Sequence, residues 1–171
     1  MELPWSSYLY VVAALAMTFI GFCAIVLSLH TTGDKENVKL KLLRQHATGY
    51  IEIGFSSVLA AMLAPMLTVC GLPASLTWRW SSAAIAVGLA VHVWLTLKRL
   101  AAITAWHIPI RTWINQTITG LVVLSLIANS SGFLIEPSAA PVVVAATWRL
   151  VHAVVVFLQT YEDFYDDAAA H

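Results

Sequence analysis

The chain has 171 residues, 60% apolar and only 11% charged, and its nine basic and nine acidic side chains cancel. A soluble domain carries roughly 25% charged residues, so this composition excludes an ordinary water-soluble fold, and the zero net charge leaves no electrostatic footprint for nucleic acid. At this length a set of four to six membrane helices accounts for the whole sequence, with no soluble domain of useful size beside it.

A hydrocarbon layer about 30 Å thick is crossed by about 20 apolar residues of helix. Five runs meet that length. The first, Trp5 to Leu29, has no charged residue, and no basic residue precedes it, so it is expected to be a retained helix rather than a cleaved signal. The second, Thr48 to Leu72, holds one charge, Glu52. The third, Trp80 to Leu97, and the fourth, Thr112 to Ile135, hold none. The fifth, Ser138 to Tyr161, holds Arg149. Gly33, Gly71, Pro73, Pro109, Pro137 and Pro141 punctuate the short connections. The expected fold is an all-α transmembrane helical bundle of five spans, followed by an acidic tail over residues 162–171. A four-span alternative would turn the fifth run into a surface helix, because Arg149 and His152 weaken it.

Orientation follows from the basic residues. Lys35, Lys39, Lys41 and Arg44 lie between spans one and two, and Lys98, Arg99 and Arg111 lie between spans three and four. Five alternating spans put both groups on one side, the cytoplasmic one, with the N-terminus outside and the C-terminus inside. Trp5, Tyr8, Trp78 and Trp80 are expected at the outer boundary. Tyr50, Trp106, Trp113, Tyr161 and Tyr165 are expected at the inner one, as an aromatic belt requires.

Ionisable groups within hydrocarbon are costly and point to function. Glu52, His92, Arg149 and His152 are the candidates, joined by the amide of Asn115. Counted at 1.5 Å per residue, all fall in the inner half or near the midplane. Spans two to five also each carry one polar or small stripe at helical spacing: Gly49, Glu52 and Ser56; Gly88, His92 and Thr96; Asn115, Thr119, Val122 and Asn129; Arg149, His152, Val156 and Gln159. If these stripes face inward, they form a polar pocket in which Glu52 and Arg149 are the natural charge pair. The bland alternative is that such a pair only fixes helix register.

No cofactor is the first expectation. Haem is the alternative, because two imidazoles facing across a bundle can ligate iron, and His92 and His152 would be those ligands. No metal site is otherwise expected. Cys23 and Cys70 sit in different runs and form no Cys-x-x-Cys pair. The small-residue faces Ser82-xxx-Ala86-xxx-Ala90 and Ala60-xxx-Ala64 allow close helix approach, within the bundle or between copies. Asn115-Gln-Thr and Asn129-Ser-Ser match the glycosylation pattern but fall in or against a span.

Three segments, Thr18-Phe-Ile-Gly-Phe-Cys-Ala-Ile-Val-Leu27, Tyr50-Ile-Glu-Ile-Gly-Phe55 and Trp78-Arg-Trp-Ser-Ser82, together resemble a group of small bacterial multi-pass membrane proteins with no assigned activity. The resemblance covers the first half of the chain and departs from the group at Ser28-Leu-His30, where an Arg-Gln ending is usual. It implies a bacterial inner-membrane location.

No catalytic motif is present. The leading expectation is a non-enzymatic membrane scaffold or complex subunit. The second is a transporter or channel component using the polar cluster, and the third is a haem-bearing electron carrier. The partners implied are the lipid bilayer and either a second copy or another membrane protein.

Overall fold

The computed structural model describes residues 3, 5–30, 38–103, 110–132 and 136–169. They form five helices and, among the described residues, no strand: α1 (Ser6–His30), α2 (Val38–Val69), α3 (Ala74–Ile103), α4 (Ile110–Ser131) and α5 (Ala140–Ala169). Each contains a stretch long and apolar enough to cross a membrane: Ser6–Val26, Ile51–Val69, Ala74–Lys98, Ile110–Ser131 and Ala140–Gln159. The protein is a multi-pass membrane helical bundle.

The helices outrun the apolar runs. α2 begins at Val38, so Lys39, Lys41 and Arg44 lie on helical backbone rather than in a loop. α5 continues through the acidic segment to Ala169. Backbone hydrogen bonding is indifferent to whether the side chains are apolar. A helix therefore stops where its donors and acceptors are capped. At the end of α2 the Gly71 N–H donates to the Thr68 carbonyl (2.9 Å) and the Leu72 N–H to the Leu67 carbonyl (3.2 Å). Gly71 takes the left-handed conformation (φ 87°) that this double closure needs. α4 ends differently. Gly132 is left-handed (φ 63°), and Arg79 of α3 donates from Nε to the Ser130 carbonyl (2.7 Å) and from Nη2 to the Ser131 carbonyl (3.0 Å). A cation there also complements the negative end of the helix dipole.

α5 is the axis of the bundle. It packs against all four other helices, whereas among the described residues α1 makes no contact with α3 or α4. The Tyr8 and Thr147 hydroxyls share a hydrogen bond of 3.0 Å near the starts of α1 and α5, and further along the rings of Phe22 and Phe157 meet edge to face, so these two helices run parallel. α2 runs against α5: its Ser57 hydroxyl donates to the Ala146 carbonyl (3.0 Å), while the preceding residue, Ser56, reaches Arg149 further along α5. The bundle is thus two hairpins, α1/α2 and α3/α4, laid on α5.

The interior is built from small side chains. Ala16, Ala60, Ala61, Ala64, Ala86, Ala145, Ala146 and Ala153 are buried, while Leu59, Val69, Trp80 and Ile110 are well exposed. In lipid, apolar burial does not drive helix association. Close backbone approach does, and small residues permit it. Gly54 is the tightest such point, since a Cβ there would lie 2.7 Å from Ile20 Cγ1. The expected faces hold for Ser82, Ala86, Ala60 and Ala64, which are buried, but not for Ala90, which is exposed.

Trp5, Tyr8, Trp80 and Trp113 are exposed, as a boundary position needs. Trp78 is not: only 4% of it is accessible, and it belongs to the core. It shares the inward face of α3 with Ser82 and Ile85, one helical turn and two turns on, whereas Trp80 lies on the opposite face. Tyr50, Trp106, Tyr161 and Tyr165 fall outside the described side chains. Cys23 is buried and Cys70 exposed, and both are free thiols.

Candidate functional site

The expected stripes face inward on α4 and α5 but are rotated on α2 and α3. Thr119, Val122 and Asn129 are buried on α4, as are Arg149 and His152 on α5. On α2 the deep positions are Ile53, Ser57, Ala60, Ala61 and Ala64, one residue and so about 100° away from Glu52 and Ser56. On α3 the deep positions are Ser82, Ile85, Ala86 and Leu89, leaving Gly88 and His92 at the edge. The small residues take the interior, and the polar stripes of α2 and α3 border the gap between those helices.

That gap is a cleft of about 440 Å³. Glu52, Ser56, Leu59, Leu63 and Met66 form its α2 wall, Ala84, Gly88 and His92 its α3 wall, and Arg149 reaches it from α5. One end is polar, with Glu52, Ser56, His92 and Arg149; the rest is hydrocarbon. Glu52, Leu59, Met66 and Gly88 are all exposed, so the cleft is open along the side of the bundle that faces lipid.

Arg149 lies at the middle of its span, and only 2% of its surface is accessible. Its Nε and Nη2 groups donate to one acceptor, the Ser56 hydroxyl, at 2.9 and 2.6 Å. Ser56 in turn donates its proton to the Ile53 carbonyl (2.7 Å), which leaves its lone pairs free for the guanidinium. Arg149 Nη1 is buried and has no hydrogen-bond partner. The expected Glu52–Arg149 pair is therefore corrected: both residues line the cleft, but Arg149 bonds a neutral hydroxyl. The cause is register. Ser56, not Glu52, stands level with Arg149, and Glu52 is one turn earlier on α2.

The structure brings three of the five predicted residues, Glu52, His92 and Arg149, to one cavity. It does not bring the other two. Asn115 is half-buried on α4 and does not line the cleft. His152 is buried one turn beyond Arg149, with its ring stacked on Trp148 at 5.8 Å. The Trp148 indole N–H donates to the Thr119 hydroxyl (3.0 Å), which ties this stack to α4. A haem held by two histidines needs both rings facing one slot; His92 borders the cleft and His152 does not, so the pair does not fit that group. Among the described residues no cluster of three or more His, Cys, Asp or Glu is placed to hold a metal ion.

In the sequence Ser56 stands out only as a member of a stripe. Its signal, a small hydroxyl one turn from an intramembrane carboxylate, cannot be matched to a partner on α5 without knowing the register. Asn129 is the second such case. Its Nδ2 donates to Ser82 Oγ (2.8 Å) and to the Ser138 carbonyl (3.0 Å), and its Oδ1 accepts from the Ser138 N–H (2.9 Å). One buried amide thus joins α3, α4 and the lead-in to α5.

Fold and site together define a small polytopic membrane protein with an amphipathic cleft in its side. No family model, curated protein or solved structure matches the chain.

Proposed function

We propose that this is a small transporter or channel component, non-enzymatic, whose α2–α3–α5 cleft binds the molecule it moves. The single observation behind this reading is Arg149. A guanidinium at the centre of a membrane helix costs about 2.5–3.5 kcal/mol on insertion scales. Structural glue would be expected to spend all its donors on the protein. Here one nitrogen is buried without an acceptor, beside an open cavity. The distribution of basic residues and the resemblance noted above support a bacterial inner-membrane protein with its N-terminus outside, so that Glu52 and His92 stand toward the cytoplasm.

The scaffold or complex-subunit reading draws on a different surface. A second groove of about 550 Å³ runs between α3 and α4, lined by Ala90, Trp94, Leu97, Gly120 and Leu124. Its small residues would admit a helix from a second copy or another membrane protein.

The discriminating experiment is reconstitution into liposomes of bacterial lipid extract holding a pH-sensitive dye under an imposed pH gradient. A transporter using the cleft accelerates dissipation of the gradient over protein-free liposomes, and Glu52→Gln and Gly88→Leu remove the acceleration while leaving the assembled mass in native mass spectrometry unchanged. Dissipation at the protein-free rate, together with a co-purifying partner, would return the scaffold reading to the front.

A further inference from the structure

We infer that the cleft takes a single-chain amphiphile with a carboxylate head, seated with the head at the Arg149 guanidinium and the hydrocarbon along Leu59, Leu63 and Met66. The inference rests on the reading of the cleft as a ligand site and names the chemistry of its ligand.

The head follows from the donors. Ser56 receives one N–H each from Nε and Nη2; Nη1 is buried with no partner, and Arg149 lines the cleft. Among the described residues no carboxylate bonds Arg149, whose acceptor is a neutral hydroxyl, and an anion satisfies donor and charge together. Glu52 borders the same cavity, four residues or about 6 Å of helix rise from Ser56. That carboxylate stands against a second negative charge and favours a monoanion over a phosphate ester carrying two.

The tail follows from the walls. Away from the polar end the lining is Leu59, Leu63, Met66, Ala84 and Ile85. Gly88 keeps the α3 wall open, because a Cβ there would meet nothing within 4 Å. Leu59 and Met66 are 68% and 59% exposed, so a ligand dissolved in the bilayer can enter sideways. Depth separates a single-chain acid from a phospholipid. Arg149 is nine residues inside its span, about 14 Å from the interface that anchors a phospholipid headgroup, whereas a free long-chain acid, in its neutral protonated form, can bring its carboxyl to that depth.

The test uses the full chain in mild detergent, with oleate, methyl oleate and phosphatidylglycerol as probes, and reads bound mass by native mass spectrometry. Wild type is expected to retain one oleate. Methyl oleate, which has the same tail and no charge, is expected to be retained about tenfold less or worse, as the loss of a charge-assisted hydrogen bond implies. Arg149→Met should lose oleate to the same degree. Gly88→Leu fills the cleft from the α3 wall and leaves Arg149 and Ser56 in the chain, and its Cβ enters open space, so it should lose oleate while keeping its helicity. Equal retention of ester and acid, or retention of oleate by Gly88→Leu, overturns the proposal. If phosphatidylglycerol is retained in place of oleate and is lost in both variants, the single-chain carboxylate is overturned and the cleft stands as a ligand site. If no probe responds to either substitution, both readings fall.

Discussion

Two nitrogens of Arg149 converge on the one hydroxyl of Ser56, at 2.9 and 2.6 Å, and Ser56 returns its own proton to the carbonyl of Ile53. A buried cation in a membrane helix is thus held by a neutral partner. Breaking such an arrangement and deleting it have opposite costs, because a buried polar group left without its partner keeps its full desolvation penalty.

Ser56→Ala is therefore expected to destabilise the protein by about 1–3 kcal/mol, since it strips Arg149 of its acceptor and leaves the charge in place. Arg149→Met removes the charge with its penalty, and replacing buried ionic groups by apolar ones of similar size is often neutral or stabilising. Thermal unfolding of both variants in detergent should show the serine variant melting below wild type and the arginine variant melting at or above it. A larger loss from Arg149→Met would make this residue structural glue and remove the basis for a ligand site.

Asn129 gives the contrasting case, a polar residue whose bonds all go to the protein. Asn129→Leu deletes three hydrogen bonds, to Ser82 and to both backbone groups of Ser138, and leaves the Ser138 N–H without an acceptor. The expected loss is about 2 kcal/mol. Oleate retention should not change, because Asn129 does not border the cleft. Melting and binding measured on the same sample would separate the two effects.

The contact between Gly54 and Ile20 predicts a rescue. Gly54→Ala places a Cβ 2.7 Å from Ile20 Cγ1 and should cost about 1–3 kcal/mol through overpacking. Ile20→Ala in the same molecule clears the space. The double variant should melt above the Gly54→Ala variant, although Ile20→Ala alone is destabilising. Additive losses would mean that α1 and α2 do not approach at this point.

The two native cysteines report topology. Cys70 is exposed at the end of α2 and Cys23 is buried in α1. With the N-terminus outside, Cys70 faces outward. A membrane-impermeant maleimide should label Cys70 in spheroplasts without permeabilisation, as judged by Cys70→Ser, and should label Cys23 only after denaturation. Labelling of Cys70 that appears only on permeabilisation would invert the orientation.

The number of spans and their order could be read from where Glu, Asp, Lys and Arg are missing, because the cost of a charge in hydrocarbon acts on each helix separately. Helix ends could not be read that way. α2 begins ten residues before its apolar run because its ends are set by hydrogen bonding, at Gly71 for instance. The inward stripes were legible on α4 and α5, where Asn129 and Arg149 are held in the interior. They are not legible on α2 and α3, where alanine and serine pack inward and push Glu52 and His92 to the edge. The pairing of Arg149 with Ser56 rather than Glu52 depends on how far two helices slide past each other, which neither helix encodes alone. Trp78 illustrates the same limit: two residues separate a core tryptophan from the exposed Trp80, and only the neighbouring helices tell them apart.

The central place of α5 bears on how the chain is assembled. α5 leaves the ribosome after the four helices it touches, so for a time both hairpins sit in the bilayer with unfinished faces. During that interval the hydroxyl of Ser57 lacks the Ala146 carbonyl, that of Thr119 lacks the Trp148 indole, and the amide of Asn129 lacks Ser138. A nascent chain stalled before α5 would expose these groups to lipid on two separate helix pairs. Release of the last helix closes both faces at once and turns two provisional hairpins into one bundle.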